Sequence, residues 1–97
     1  MNRTEKKAKE ILEGQYAHVQ GPMPRAKWTE NDHFGLFDFI VFSKDKGALV
    51  QVSTKYLSQR PKCWQARFTE FECPSNIKKQ YWRWDKKRKK FIIDEYE

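Results

Sequence analysis

Asp38 opens the apolar run "DFIVF", and after a short turn a second run, "GALVQVSTK", carries Gln51, Ser53 and Lys55 at alternating positions. Strand side chains alternate between faces, so these three are expected on one face, beside the strand that begins at Asp38. A carboxylate on one strand, an amide oxygen on its neighbour and the carbonyl of Val52 between them make an oxygen-rich set, the kind that hard divalent cations prefer. A cation held there can polarise a phosphate ester, offset charge on the leaving oxygen and lower the pKa of an attacking water. The plainer alternative is a charged hairpin in a small basic domain, with Gln51 on the wetted face of an antiparallel pair. Asp38 weighs against that alternative. Its apolar neighbours imply burial, and burying a carboxylate without a partner is costly.

The elements that must position these residues can be read along the chain. Residues 2 to 13 place Ala8, Ile11 and Leu12 on one face of a short helix, with Asn2 or Thr4 to cap it and Gly14 to end it. Residues 16 to 20 alternate weakly and predict a strand, which Gly21, Pro22 and Pro24 terminate. A polar loop follows to His33, long enough to be a candidate substrate-facing segment. "LFDFIVFS" and "GALVQVSTKY", joined by "KDKG", predict a hairpin. Pro61 then sits near a helix start, Trp64, Phe68 and Phe71 form one helical stripe, and Cys73-Pro74 ends it. The tail, "KKQYWRWD", "KKRKK" and "FIIDEY", reads as a second hairpin around a basic turn. The expected order is α-β-β-β-α-β-β.

With 97 residues the chain is expected to form one domain, and its net charge of +7 points to a polyanionic partner. The densest positive patch is Lys86, Lys87, Arg88, Lys89 and Lys90, whose contacts to phosphates would make binding fall with salt. Arg25, Lys27, Arg60, Lys62, Arg67 and Arg83 are candidates to extend that surface. In "YWRW", Tyr81 and Arg83 share one face and Trp82 and Trp84 the other, so one pair is expected in the core and one exposed. An exposed Tyr81 or Trp82 would suit stacking on single-stranded nucleic acid. No long apolar run predicts membrane insertion. Cys63 and Cys73 flank a predicted helix, too far apart for a disulfide, and the polar N-terminus lacks a signal-peptide pattern, so a reducing, intracellular setting is expected. His18 and His33 do not combine with the cysteines into a zinc spacing.

The element order, with an acid opening one central strand and a polar alternating set on the next, resembles the PD-(D/E)XK nuclease superfamily. Within it, the chain is most similar to the small archaeal Holliday-junction resolvases and their virus or phage relatives. The pattern there is an N-terminal helix bearing a Glu, a strand with a metal-binding Asp, and a hairpin to a strand reading (E/Q)-x-K. Glu5 lies on the expected helix, "FGLFDFIVF" supplies Asp38 and "ALVQVSTK" supplies Gln51. The resemblance spans nearly the whole chain and implies a single α/β domain over residues 1–97, a restriction-endonuclease-like mixed central sheet flanked by helices.

It further implies that Asp38, Gln51, Glu5 and the Val52 carbonyl hold Mg²⁺, with Mn²⁺ as a substitute. The resemblance likewise implies a DNA partner, branched or structured DNA included, and a homodimeric enzyme acting inside a cell, with virus or phage origin as an expectation from its relatives alone. The sequence departs from the pattern at the third motif position. Ser53 stands where the family carries lysine, and serine supplies no charge. Lys55, whose Cα lies about 7 Å further along an extended strand, is the candidate to reach back and complete a catalytic set of Asp38, Gln51, Lys55 and Glu5. Lys27, Lys44 and Lys46 are alternatives from neighbouring loops. Three readings stay open: a metal-dependent endonuclease, a nuclease-like fold kept as a non-catalytic DNA-binding module, and an RNA- or single-strand-binding protein.

Overall fold

Period-two apolar runs and two helical stripes fold here into one mixed sheet with a helix on each face. The computed structural model describes residues 3–21 and 36–96. Arg25, Lys27, His33 and nearly all of the loop expected to face substrate lie outside the described residues. The elements are α1 (Arg3–Gln15), β1 (His18–Gln20), β2 (Phe39–Phe42), β3 (Gly47–Ser53), a 3₁₀ turn (Leu57–Gln59), α2 (Lys62–Glu70), β4 (Ile77–Asp85) and β5 (Lys90–Tyr96). The strands lie side by side in the order β1-β2-β3-β4-β5. All neighbours are antiparallel except β3 and β4, which run parallel because α2 carries the chain back across the sheet.

One face packs Phe39, Val41, Ala48, Val50, Val52 and Trp82 against Ala8 and Leu12 of α1. The other packs Leu36, Phe37, Leu49 and Tyr81 against Phe68 of α2, with Trp64 and Phe71 half-buried beside it. The α1 stripe is Glu5, Ala8 and Leu12, all buried. Ile11, expected on that stripe, is 41% exposed. It precedes Leu12 by one residue, which turns it about 100° around the axis. Gly14 does not stop the helix, which continues to Gln15. A Cβ at Gly14 would meet nothing within 4 Å, so the position lies in open space.

Covering both faces closes the plainer alternative of a wetted Gln51, which is buried at 4% exposure, and overturns the expectation of an exposed pair in "YWRW", since Tyr81 and Trp82 are each 1% exposed. No pair of "YWRW" is therefore displayed as a stacking platform, and single-strand binding through Tyr81 or Trp82 loses its surface. No helix among the described residues is long and apolar enough to cross a membrane. Cys63 and Cys73 are both free.

The basic run forms the turn between β4 and β5. Asp85 organises it: its Oδ1 accepts the backbone N–H of Lys87 at 2.9 Å and of Arg88 at 3.1 Å, and Lys89 takes a left-handed conformation with φ 54°. Chiefly because of the Arg88 N–H, and further through the Lys87 N–H and the charges of Arg83 and Arg88, the Asp85 carboxyl titrates below the ordinary carboxylate range, against a smaller opposing effect of desolvation. A carboxyl whose pKa is depressed on folding adds stability above its unfolded pKa and loses it as pH falls through the folded value. We expect the amide protons of Lys87 and Arg88 to shift together in an NMR titration, with one midpoint below that of an unperturbed aspartate. Flat profiles, or a midpoint at the ordinary value, would remove Asp85 from the turn.

Candidate functional site

Asp38 sits immediately before β2, among Leu36, Phe37 and Phe39, and is itself only 9% exposed. Its backbone N–H donates to the Val50 carbonyl at 2.8 Å, and its Oδ2 accepts the Val52 N–H at 2.8 Å. The side chain thus extends the β2–β3 ladder where regular pairing stops. The β2–β3 register ends at the pair of Phe39 with Val50, and the Asp38 N–H takes the carbonyl of that same Val50, so Asp38 marks a break in the ladder with its carboxylate on the Val52 amide. Gly21 allows this approach. It adopts φ +126°, and a Cβ there would collide with the Asp38 carbonyl oxygen.

Gln51 projects from β3 on the face of Leu49 and Tyr81. Its Nε2 donates to the Val52 carbonyl at 3.3 Å, whereas its Oε1 is buried without a hydrogen-bond partner. An unsatisfied buried acceptor is unusual and costs about 1–3 kcal/mol. Glu5 reaches the same strand end from the opposite face, where Thr4, Glu5, Val52, Ser53 and Thr54 line a small cleft of about 200 Å³. Asp38 and Gln51 therefore meet at Val52, Asp38 on its N–H and Gln51 on its carbonyl, whereas Glu5 lines the cleft on the opposite face and does not join them, contrary to the expected four-ligand set. Among the described residues, no cluster of three His, Cys, Asp or Glu side chains forms. Any oxygen set for a cation here must combine a carboxylate with the amide and carbonyl oxygens.

Lys55 departs from its expected place. Strand β3 ends at Ser53, whose Oγ accepts the Lys55 N–H at 3.0 Å and bends the chain away. The alternation that would align Gln51, Ser53 and Lys55 stops one step early, and Lys55 is exposed. Its carbonyl accepts the Tyr81 hydroxyl at 2.7 Å, fixing the bend to β4.

The topology gathers positive charge at this same end of the sheet. Parallel pairing sets Ser53 beside Arg83, and β4 runs on to Asp85 before the turn holding Lys86, Lys87, Arg88 and Lys89, with Lys90 opening β5. Arg60 and Lys62 stand where α2 begins; Lys62 is exposed. The Arg60 guanidinium lies 4.6 Å from the centre of the Trp64 ring, and its Nε donates to the Tyr81 hydroxyl at 3.3 Å. From α1, Lys7 places its Nζ 4.2 Å from the Trp84 ring centre. Clustered cations beside a cleft form an electrostatic footprint for a phosphate backbone.

Two residues that shape the site were not singled out by sequence reasoning. Tyr56 carries the Arg83 guanidinium at 4.0 Å from its ring centre. Its signal was an aromatic just past the end of a polar strand. Gly21 had registered only as a strand breaker, although an isolated glycine there also signals close backbone approach. Comparisons of the chain with protein-family models, with curated proteins and with solved structures return no match.

Proposed function

We propose that the chain is a metal-dependent DNA endonuclease of the restriction-endonuclease-like type. The observation that carries this reading is the buried, unpartnered Gln51 Oε1, held on the strand next to the Asp38 carboxylate. An orphaned oxygen on the residue before Val52, whose N–H the Asp38 carboxylate accepts, fits a hard cation's preference for oxygen ligands. Asp38, Gln51 and the Val52 carbonyl would hold Mg²⁺ or Mn²⁺, which supplies charge stabilisation and a more acidic water when bound, while Glu5, on the opposite face, stands outside this set. The chain's own residues do the rest. Asp38 anchors the β3 backbone while presenting negative charge, and the cationic end of the sheet draws in and holds the phosphate backbone. The order α-β-β-β-α-β-β, with β3 and β4 parallel, further supports the reading. Action on branched DNA as a twofold dimer extends it, because two symmetric sites suit paired cuts.

Ser53 favours a second reading, a nuclease-like module that binds DNA without cutting. One assay separates the two: end-labelled four-way junction, duplex and single-stranded DNA incubated with Mg²⁺ or Mn²⁺, wild type beside Gln51→Glu. Wild type is expected to cut only with a cation present. Gln51→Glu, by adding a charge to the oxygen set, is expected to lower the half-saturating Mg²⁺ concentration severalfold. Salt-sensitive binding with no product under any condition would end the endonuclease reading and leave the module.

A further inference from the structure

A phosphodiester held at the open end of β3, beside Ser53, needs a cation next to it, and Ser53 supplies none. Lys55 lies beyond the strand in an exposed bend. Lys79, the buried lysine of β4, is committed elsewhere: its Nζ donates to the carbonyls of Phe68 and Thr69, each at 2.8 Å. The adjacent strand offers a different group. In the parallel ladder Ser53 pairs with Arg83, so the two side chains leave the sheet next to each other on the same face, about 4.8 Å apart at the backbone.

Arg83 is half-buried, and its guanidinium is stacked 4.0 Å from the centre of the Tyr56 ring. Such stacking restrains a long side chain and leaves the guanidinium edge free to form paired hydrogen bonds to phosphate oxygens. The acid on the same face of β4, Asp85, already accepts two turn amides through one oxygen. We propose that Arg83 is the phosphate-binding cation of this site, filling from β4 the role that the family pattern gives to a lysine at position 53. The catalytic part of this proposal rests on the endonuclease reading; the phosphate contact does not.

The test compares wild type, Arg83→Gln, Arg83→Lys and the double variant Ser53→Lys/Arg83→Gln. Two readouts are taken: the cutting rate with Mg²⁺, and the salt dependence of binding to duplex DNA without divalent cation. Thermal unfolding is followed alongside. Arg83→Gln is expected to reduce the slope of log K against log salt by about 0.9, the loss of one phosphate contact. It is also expected to slow cutting roughly 100-fold or more, the usual effect of removing a preorganised charge donor. Arg83→Lys should keep the slope and part of the cutting. Ser53→Lys in the Arg83→Gln background should regain both, which also keeps the result readable if Arg83→Gln unfolds more easily. If wild type does not cut and Arg83→Gln still loses the slope, the endonuclease reading fails and the phosphate contact stands. An unchanged slope in folded Arg83→Gln, whatever the cutting rate, or no recovery in the double variant, would overturn the assignment.

Discussion

Asp38→Asn is expected to abolish cation-dependent cutting of DNA, by about a thousandfold or more, while the protein keeps its melting temperature within a few degrees. The rate effect follows from removing negative charge from the oxygen set, where the cation would supply several kcal/mol of charge stabilisation. The small stability effect follows from geometry. Asp38 Oδ2 accepts the Val52 N–H at 2.8 Å, and an asparagine amide oxygen can accept the same bond. Asp38→Ala separates the two roles. It removes the charge and also leaves the Val52 N–H buried without an acceptor, which costs about 1–3 kcal/mol. Parallel cutting assays and thermal melts on the two variants make the check. Cutting that survives in Asp38→Asn would place the chemistry elsewhere, and an Asp38→Ala melt equal to wild type would deny the Val52 bond its structural weight.

The second large effect lies away from the site. Lys79 is 1% exposed, its stem runs under Phe68 with Nζ 5.6 Å from that ring's centre, and its ammonium takes the Phe68 and Thr69 carbonyls. These belong to the last turn of α2, where carbonyls have no partner within the helix and where positive charge is favoured. We expect Lys79→Ala to lose about 2–4 kcal/mol, because it both opens a cavity and removes two charge-assisted bonds. For a domain of this size that is a fall on the order of 10–20 °C in melting temperature. Lys79→Met keeps most of the volume and should lose less. Chemical denaturation reads both, and a Lys79→Ala variant within about 0.5 kcal/mol of wild type would mean that the amine is not holding the helix end.

Much of this arrangement was legible in the sequence. The "KDKG" turn between two β-branched runs specifies the β2–β3 hairpin, the Trp64, Phe68 and Phe71 spacing specifies the buried side of α2, and the basic turn divides β4 from β5. Asp38 was conspicuous because its apolar neighbours demand burial, and it is buried. What was not legible depended on which sheet faces are covered. A hairpin read alone leaves one face wet, which kept a wetted Gln51 open as an alternative and predicted one exposed pair in "YWRW". With α1 on one face and α2 on the other, Gln51, Tyr81 and Trp82 are all buried. Lys79 carried a signal that went unused, since alternation places it on the same face as Tyr81. Lys55 was misplaced for a local reason, the Ser53 hydroxyl that captures its N–H and ends the strand. The pairing of Ser53 with Arg83 is a long-range register, which neither residue's neighbours encode.

The single parallel seam between β3 and β4 also governs how the molecule can assemble. On one side of it, β1, β2 and β3 form an antiparallel meander, and on the other β4 and β5 form a hairpin. The β2–β3 and β4–β5 hairpins each form from contacts within their own stretch of chain, at the modest entropic cost of closing short loops, while β1 joins β2 across the long connection after Gln20. The seam joins residues about 30 positions apart, as Gln51 with Tyr81 and Ser53 with Arg83, the kind of non-local pairing that slows folding across small domains. The orphaned oxygen lies on one bank of that seam and the stacked guanidinium on the other. The oxygen groups and the basic turn thus belong to different halves, and only closure of the seam brings Ser53 and Arg83 side by side.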